Sequence, residues 1–575
     1  MQSQHQVIQS LPTHLQPFVA TQNYATYTPR DQAVWRFLLH QLVFSLQGKA
    51  HPTYFEGLEK TGIGFESIPR IEDINACLRK LGWRAVAVDG FLPPAVFMEF
   101  QAIKVLAIAV NIRSFEHMLY TPAPDIIHES AGHAPFLIDI DYAEFLQRFG
   151  ELGMQAIANQ HDVNVYEAVR ALSIIKEETS STQAEISSAR QRVEDLQNTK
   201  VEPSEANLLA RLHWWTVEYG LVGDTKDYTL FGAGLLSSLS ESQDCMDDTK
   251  VTKHQLTIDA INTAYDITTA QPQLFVTESC RHLSQVLAEY GRHMCCERGG
   301  ASALLEAKTA GSINTITLNS GIQVAGKIDN VTYDAVGNAI YLNTSGATQL
   351  AYAGSELAGH GTNAHAQGFG SPIGKLRSIE RCLSDYTVDE LKRHNIEIGT
   401  RVTLNFLSGI KVVGELEQII RRNQKNLVFS FSNCTVNNAQ NEILFDPAWG
   451  QYDMAIGNQV DGVSGGSADQ TTFPMYETPS SQTTLEQDYC DHTLQQFDLY
   501  KQLRECRNRS GDITKLRSEI NKQDNCDWLL VFELLELSIE QKASASMQQQ
   551  LRKKLSFYAD QVLISQGLAR LDSML

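Results

Sequence analysis

The chain has 575 residues, enough for two to four domains that each bury a core, and its 43% hydrophobic and 20% charged composition excludes a disordered or fibrous protein. A formal net charge of -20, with no Lys/Arg cluster to offset it locally, argues against nucleic acid and anionic membranes and makes a small molecule the expected partner. Ten cysteines, with one adjacent pair (Cys295, Cys296) and no CxxC, fit reduced thiols, and neither a secretory signal nor an apolar stretch longer than Val105 to Ile112 is seen, so a cytoplasmic location off the membrane is expected.

From Arg30 to about Arg292 apolar residues recur at three and four, as in Ala33, Val34, Trp35, Phe37, Leu38, Leu39, Leu42 and Val43, and again from Ile71 to Leu81. This predicts a mainly α domain over residues 1–300. Between Tyr166 and Leu212 the sequence turns polar and helix-prone, which predicts a protruding helical hairpin broken near Pro203. After Gly299 come short β-branched runs punctuated by glycine and asparagine, a β-rich domain over 301–461. It carries a faint internal repeat: ITLNSGIQVAGKI from Ile316 and VTLNFLSGIKVVGEL from Val402 share an SGI-x-V-x-G element 88 residues apart, against the plainer reading of chance similarity between turn-rich strands. A Gly/Ser/Thr/Pro-rich linker is expected over 462–482 and an all-helical unit over 483–575, its most apolar strip running from Trp528 to Leu535, with a homo-oligomeric contact expected there. His360 and His365, in a glycine-rich loop with no carboxylate beside them, read as solvent-exposed, and Asp524 and Asp527 read as a solvated face.

The segment richest in chemistry is YTPAPDIIHESAGHAPF, Tyr120 to Phe136. His128 and His133 stand five apart, which on a regular α-helix splays them by about 140°, whereas the HExxH zinc pattern keeps them four apart on one face. They can share one ion only if the helix stops between them, and Gly132 and Pro135 are the residues expected to stop it. On spacing alone, metal binding and a chance pair of histidines stand level.

HESAGHAPF, followed by WWTVEYGL from Trp214 and FGAGLLSS from Phe231, resembles the pterin-dependent aromatic amino acid hydroxylases. That family's H-E-x-x-G-H-x-P motif is met at His128, Glu129, Gly132, His133 and Pro135, and the resemblance covers roughly residues 27 to 290. It implies iron ligated by His128, His133 and Glu218, the catalytic set; a facial pair of imidazoles and one carboxylate leaves three cis positions open on Fe(II) for oxygen chemistry. It further implies a tetrahydropterin (tetrahydrobiopterin or similar) held by Gly90, Leu92, Phe97 and Glu129, and an amino acid substrate held by Arg113, Thr121, Trp214 and Ser237, with the Arg113 fork on the substrate carboxylate. Glu218 lies 85 residues beyond His133, more than the family's usual separation, with the polar hairpin as the surplus. His213, Trp215 and the Ser130-Ala131 pair depart from the family pattern and bear on pterin fit and ring selectivity.

The fold expected is therefore a mainly α, hydroxylase-like catalytic domain with no regulatory module before it, then a β-rich domain with two related strand units, then a C-terminal all-α unit. The expected function is ring hydroxylation of an aromatic amino acid with Fe(II), tetrahydropterin and O2, phenylalanine to tyrosine by preference, as in phenylalanine catabolism. The alternatives are tryptophan or tyrosine as substrate, or an inactive hydroxylase-like domain within a binding or scaffold protein.

Overall fold

The computed structural model describes residues 3–573 other than 91, 120–124, 178–180, 268, 477–488, 510, 512 and 522–525. Its first long helix, Pro29–Leu46, starts where Thr28 and Asp31 cap one another reciprocally and Pro29 takes the first helical position. This helix is apolar on nearly every face because it is covered from both sides. The catalytic core lies on one, and on the other Phe37 meets Trp528 and Phe532 edge-on, at centroid separations of 5.2 and 5.0 Å. The periodic stretch from Ile71 is α-helical to Leu78 and tightens into a last turn that ends on Gly82 at φ +78°, a left-handed position that suits glycine.

Small sheets frame the catalytic half: β1 (Arg84–Val88) parallel to β2 (Val105–Ala109), and β3 (Leu221–Gly223), β4 (Tyr228–Leu230), β5 (Thr252–Gln255) and β6 (Gln273–Thr277) in the order β4-β3-β6-β5. The polar stretch forms helices Gln160–Glu177 and Gln183–Gln197, packed on one another. The second buries only Val193 among its described side chains, which is why its sequence is so polar. The chain then leaves helix before Pro203 and re-enters it at Glu205–His213.

The later half is two packed sheets. β7 (Ile313–Leu318), β8 (Ile322–Tyr333), β9 (Ala339–Tyr352), β10 (Ser355–Glu356) and β11 (Gly368–Pro372) join the first; β12 (Arg401–Asn405), β13 (Lys411–Arg422), β14 (Lys425–Asn437), β15 (Ile443–Phe445) and β16 (Tyr452–Ala455) form the second. In β7/β8 the pairing runs from Ile313↔Lys327 to Thr317↔Gln323; in β12/β13 it runs from Arg401↔Glu415 to Asn405↔Lys411, each position 88 residues on. The register shifts at Ala325/Lys327, Ile328/Asn330 and Thr332/Tyr333 recur at Val413/Glu415, Leu416/Gln418 and Ile420/Arg421. Gly326 and Gly414, the last residues of the two SGI-x-V-x-G elements, sit in the first of these bulges, where a Cβ would come within 2.8 Å of Thr348 Oγ1 and 3.0 Å of the Cys434 Cβ.

Two sequence expectations are corrected here. The stretch expected to be linker opens as a strand, β17 (Val460–Gly465), which pairs with β7, and only residues 477–482 of the expected linker fall outside the described residues. Polar composition misled because an edge strand of small residues packs by backbone: Gly462 and Gly465 have no room for a Cβ against Cys296 and Ala156. Asp527 is not on a solvated face but half-buried, beside Tyr500 Oη at 3.3 Å and Arg30 at 3.7 Å; Asp524 lies outside the described residues.

The described residues of 491–573 form five helices, and Trp528–Glu540 is buried on nearly every side. They share one apolar core with the catalytic half. An ionic ring, buried at Arg36, Glu533 and Glu536, ties the two: Arg36 faces Glu66, Glu533, Glu536 and Glu540, while Arg507 and Arg570 close it from the other side. No disulfide joins cysteines among the described residues, and no helix among them is long and apolar enough to cross a membrane.

Candidate metal centre

The expected break between His128 and His133 is absent. Ile127–His133 instead continues as a π-helix, in which each carbonyl meets the amide five residues on, so that residue i+5 comes over residue i as i+4 does in an α-helix. Widening the turn solves the five-residue spacing without ending the helix. Gly132 is not left-handed; it is small because a Cβ there would lie 2.9 Å from the Ala233 carbonyl oxygen. Pro135 opens the tighter Ala134–Ile138 turn that follows, and Gly57 packs against its backbone.

Glu218 comes from a second π-turn, Trp214–Glu218, continuing helix Glu205–His213. FGAGLL is its support: a Cβ on Gly232 would stand 2.5 Å from the Glu218 carbonyl oxygen, and one on Gly234 2.8 Å from the Tyr219 ring. Both motif glycines are thus places of close backbone approach.

These turns bring three donor atoms together. His128 Nε2 lies 3.1 Å from His133 Nε2 and 3.3 Å from Glu218 Oε2, and His133 Nε2 lies 3.4 Å from Glu218 Oε1. Such separations suit one ion with bonds of about 2.0–2.2 Å to each. On the far side of the His128 ring, Nδ1 stands 3.0 Å from Ser237 Oγ, whose hydroxyl donates to the Ala233 carbonyl at 2.8 Å. With its proton so used, Oγ accepts from Nδ1–H, which leaves the Nε2 lone pair facing the other donors.

Burial alone would raise Glu218, but the two imidazoles hold its carboxyl well below the usual range. Burial pushes Glu129 up to about 8, with Glu218 adding to the shift, and its Oε2 has no hydrogen-bond partner. That orphaned oxygen fits a polar cofactor edge, and Phe97, on helix Pro94–Ala102, lies near with its ring against His213 at 6.0 Å. Leu92 is half-buried and Gly90 exposed at φ +70° on the adjoining loop. His213, pushed down to about 4 by burial, stands with Nδ1 3.7 Å from Glu218 Oε1, so its neutral ring lines the carboxylate.

Arg113 is buried with its fork already occupied. Nε and Nη2 donate to the two oxygens of Asp125 at 2.8 and 2.9 Å, and Nη1 points to the Ser237 carbonyl at 3.5 Å. Asp125 also accepts from the His128 amide at 3.1 Å, capping the ligand helix. Trp214 stacks on Tyr265 and Tyr219 at 4.4 and 4.7 Å. Thr121 lies outside the described residues.

A family model, "Biopterin-dependent aromatic amino acid hydroxylase", matches residues 19–180 and 184–298. Residues 19–180 and 184–298 of this chain are therefore similar to that family. The two matched stretches part between the paired polar helices. A phenylalanine-4-hydroxylase of Pseudomonas aeruginosa is 29% identical over 264 residues, covering 46% of this chain and 84% of the relative. That of Chromobacterium violaceum is 29% identical over 273 residues, 47% and 77%. A solved structure of the C. violaceum enzyme with iron(III) and 7,8-dihydrobiopterin superposes at TM-score 0.39 and 25% identity, over 51% of this chain and 92% of that one.

Within this matched segment, Asp125, Tyr219 and Tyr265 are the site neighbours that sequence reasoning missed, while His213 was singled out only as a departure from the family pattern. Asp125 alone left a trace, as the acidic residue three before His128, where a helix cap belongs.

Proposed function

We propose that the chain is an iron- and pterin-dependent monooxygenase that hydroxylates the ring of phenylalanine to give tyrosine, with O2 as co-substrate. The observation that carries this is the convergence of His128, His133 and Glu218 from two π-turns within a segment similar to the hydroxylase family. Fe(II) and a reduced pterin, when bound, supply the activation of dioxygen. The chain's residues supply the rest. His128, His133 and Glu218 hold the metal on one face; Ser237 fixes the His128 tautomer; Glu129 and Phe97, with Gly90 and Leu92, line the pterin side. Arg113 keeps Nη hydrogens beyond its pair with Asp125, and these would meet the amino acid carboxylate, with Thr121 and Trp214 around the rest of the substrate. Holding the substrate by that end fixes which ring carbon faces the metal.

A cytoplasmic setting fits the reduced cysteines. Self-association through the C-terminal helices would have to use exposed residues such as Leu494, Phe557 and Val562, since their buried faces are spent inside the chain.

The full-length protein, loaded with Fe(II) and tetrahydrobiopterin under air, should convert phenylalanine faster than tyrosine or tryptophan. Preference for one of the other two would reassign the substrate; no product from any would overturn the proposal.

A further inference from the structure

His360 and His365 are not exposed as their glycine-rich loop suggested: they are 4% and 9% exposed, and a carboxylate faces them from a segment about ninety residues away. The loop after β10 folds back on β9, where the Leu350 amide donates to the His360 carbonyl at 2.9 Å and the Thr348 amide to the His365 carbonyl at 3.1 Å. Gly361 lets this turn close, since a Cβ there would stand 2.6 Å from Glu356 Oε1. The carboxylate is Asp453 on β16, at the seam between the two sheets, where Ser371 Oγ on β11 also donates to the Ala455 carbonyl at 3.1 Å.

Three donor atoms converge here: His360 Nδ1 is 3.3 Å from His365 Nε2, and Asp453 Oδ2 is 3.7 Å from the first and 3.9 Å from the second. The two carboxylate distances are too long for direct hydrogen bonds, so Oδ2 faces, without bonding, two imidazole nitrogens that stand within hydrogen-bond distance of one another. A near-buried carboxylate oxygen turned toward two such nitrogens gains most when a cation joins all three. An ion with bonds near 2.1 Å to three ligands holds them about 3.0–3.5 Å apart, which a small closure of this cluster reaches. Gln451 Nε2 donates to the other Asp453 oxygen at 3.0 Å and so orients the carboxylate from outside. Ser430, directly opposite Asp453 in the β14/β16 register and thus on the same face, has a buried hydroxyl with no partner.

We infer that His360, His365 and Asp453 form a second metal site, separate from the hydroxylase centre, that takes a divalent transition-metal ion of the zinc class. Two imidazoles and one carboxylate are the borderline donors such ions favour, and three protein ligands leave a position for water or an outside ligand. Because the histidines come from a loop between strands of the first sheet and the aspartate from a strand of the second, the ion would clamp the two strand units together.

The test is Co(II) titration of the metal-stripped full-length chain, followed by visible absorption and by phenylalanine hydroxylation after Fe(II) loading. The wild-type chain should bind two equivalents. His365→Ala and the near-isosteric Asp453→Asn should each bind one and keep hydroxylase activity, while Glu218→Ala also binds one, with the absorption of the β-domain site. A wild-type stoichiometry of one that disappears in Glu218→Ala overturns the inference and leaves the hydroxylase reading intact; so does a stoichiometry unchanged in Asp453→Asn. Activity in His365→Ala and Asp453→Asn shows that these two fold and that their loss of metal is local.

Discussion

Ser237 shows how much of the site lies one shell behind the ligands. The family resemblance places it against the substrate, yet its hydroxyl is engaged by His128 Nδ1 and the Ala233 carbonyl. Ser237→Ala should therefore weaken Fe(II) binding about 10- to 100-fold in a chelator competition, with the amino acid KM little changed once iron is saturating. A large KM effect with normal iron affinity would return Ser237 to the substrate. Arg113 needs similar revision. Its fork holds Asp125, which holds the ligand helix, so Arg113→Lys should raise the amino acid KM and also lower the melting temperature by several degrees, because a buried bidentate pair is broken. A KM rise at unchanged melting temperature would show that the pair with Asp125 is dispensable.

At the scale of elements, the two π-turns are the device that makes the spacing work. Five residues between histidines fit one ion only if the turn is widened, and the widened turn survives because Gly132 lets the Ala233–Leu236 segment press against it. Gly132→Ala adds a methyl where 2.9 Å is available, which should cost about 1–3 kcal/mol of stability and loosen metal binding together, read by thermal melts and iron content. Much of this level was legible in the sequence. The histidines, Glu218 and the glycine-bearing motifs were visible as types at spacings, and the 88-residue echo of SGI-x-V-x-G marks strands whose bulges fall at matching positions. How the helix accommodates the spacing was not legible, because a π-turn is selected by tertiary packing and not by local propensity. Asp453 was illegible for a related reason: nothing near His360 in sequence says that a strand from the other sheet will arrive beside it.

At the scale of the whole molecule, the C-terminal helices are built into the catalytic half. Glu536 is the hub: burial alone would raise its carboxyl, but Arg36, Arg570 and Arg507 pull it down to about 2 from an ordinary 4.5. A depressed carboxylate stabilises the fold above its unfolded value and loses that contribution as pH falls, so this part of the stability should fade between about pH 4.5 and 2. Glu536→Gln leaves three buried guanidiniums short of charge and should cost about 3–5 kcal/mol near pH 7, with a flatter stability profile in that acid window, measured by urea unfolding across pH. Ending the chain at residue 476 would strip the cover from Phe37 and leave Arg36 with Glu66 alone, so the shortened protein should aggregate or melt well below the full chain.

The measurement that bears most directly on the hydroxylase assignment is mass analysis of the product formed from phenylalanine, Fe(II), tetrahydrobiopterin and isotopically labelled dioxygen. The wild-type chain should yield tyrosine carrying one labelled oxygen, and Glu218→Ala should yield none. Tyrosine without label, or labelled tyrosine formed equally well by Glu218→Ala, would contradict an iron centre at His128, His133 and Glu218 as the seat of the chemistry.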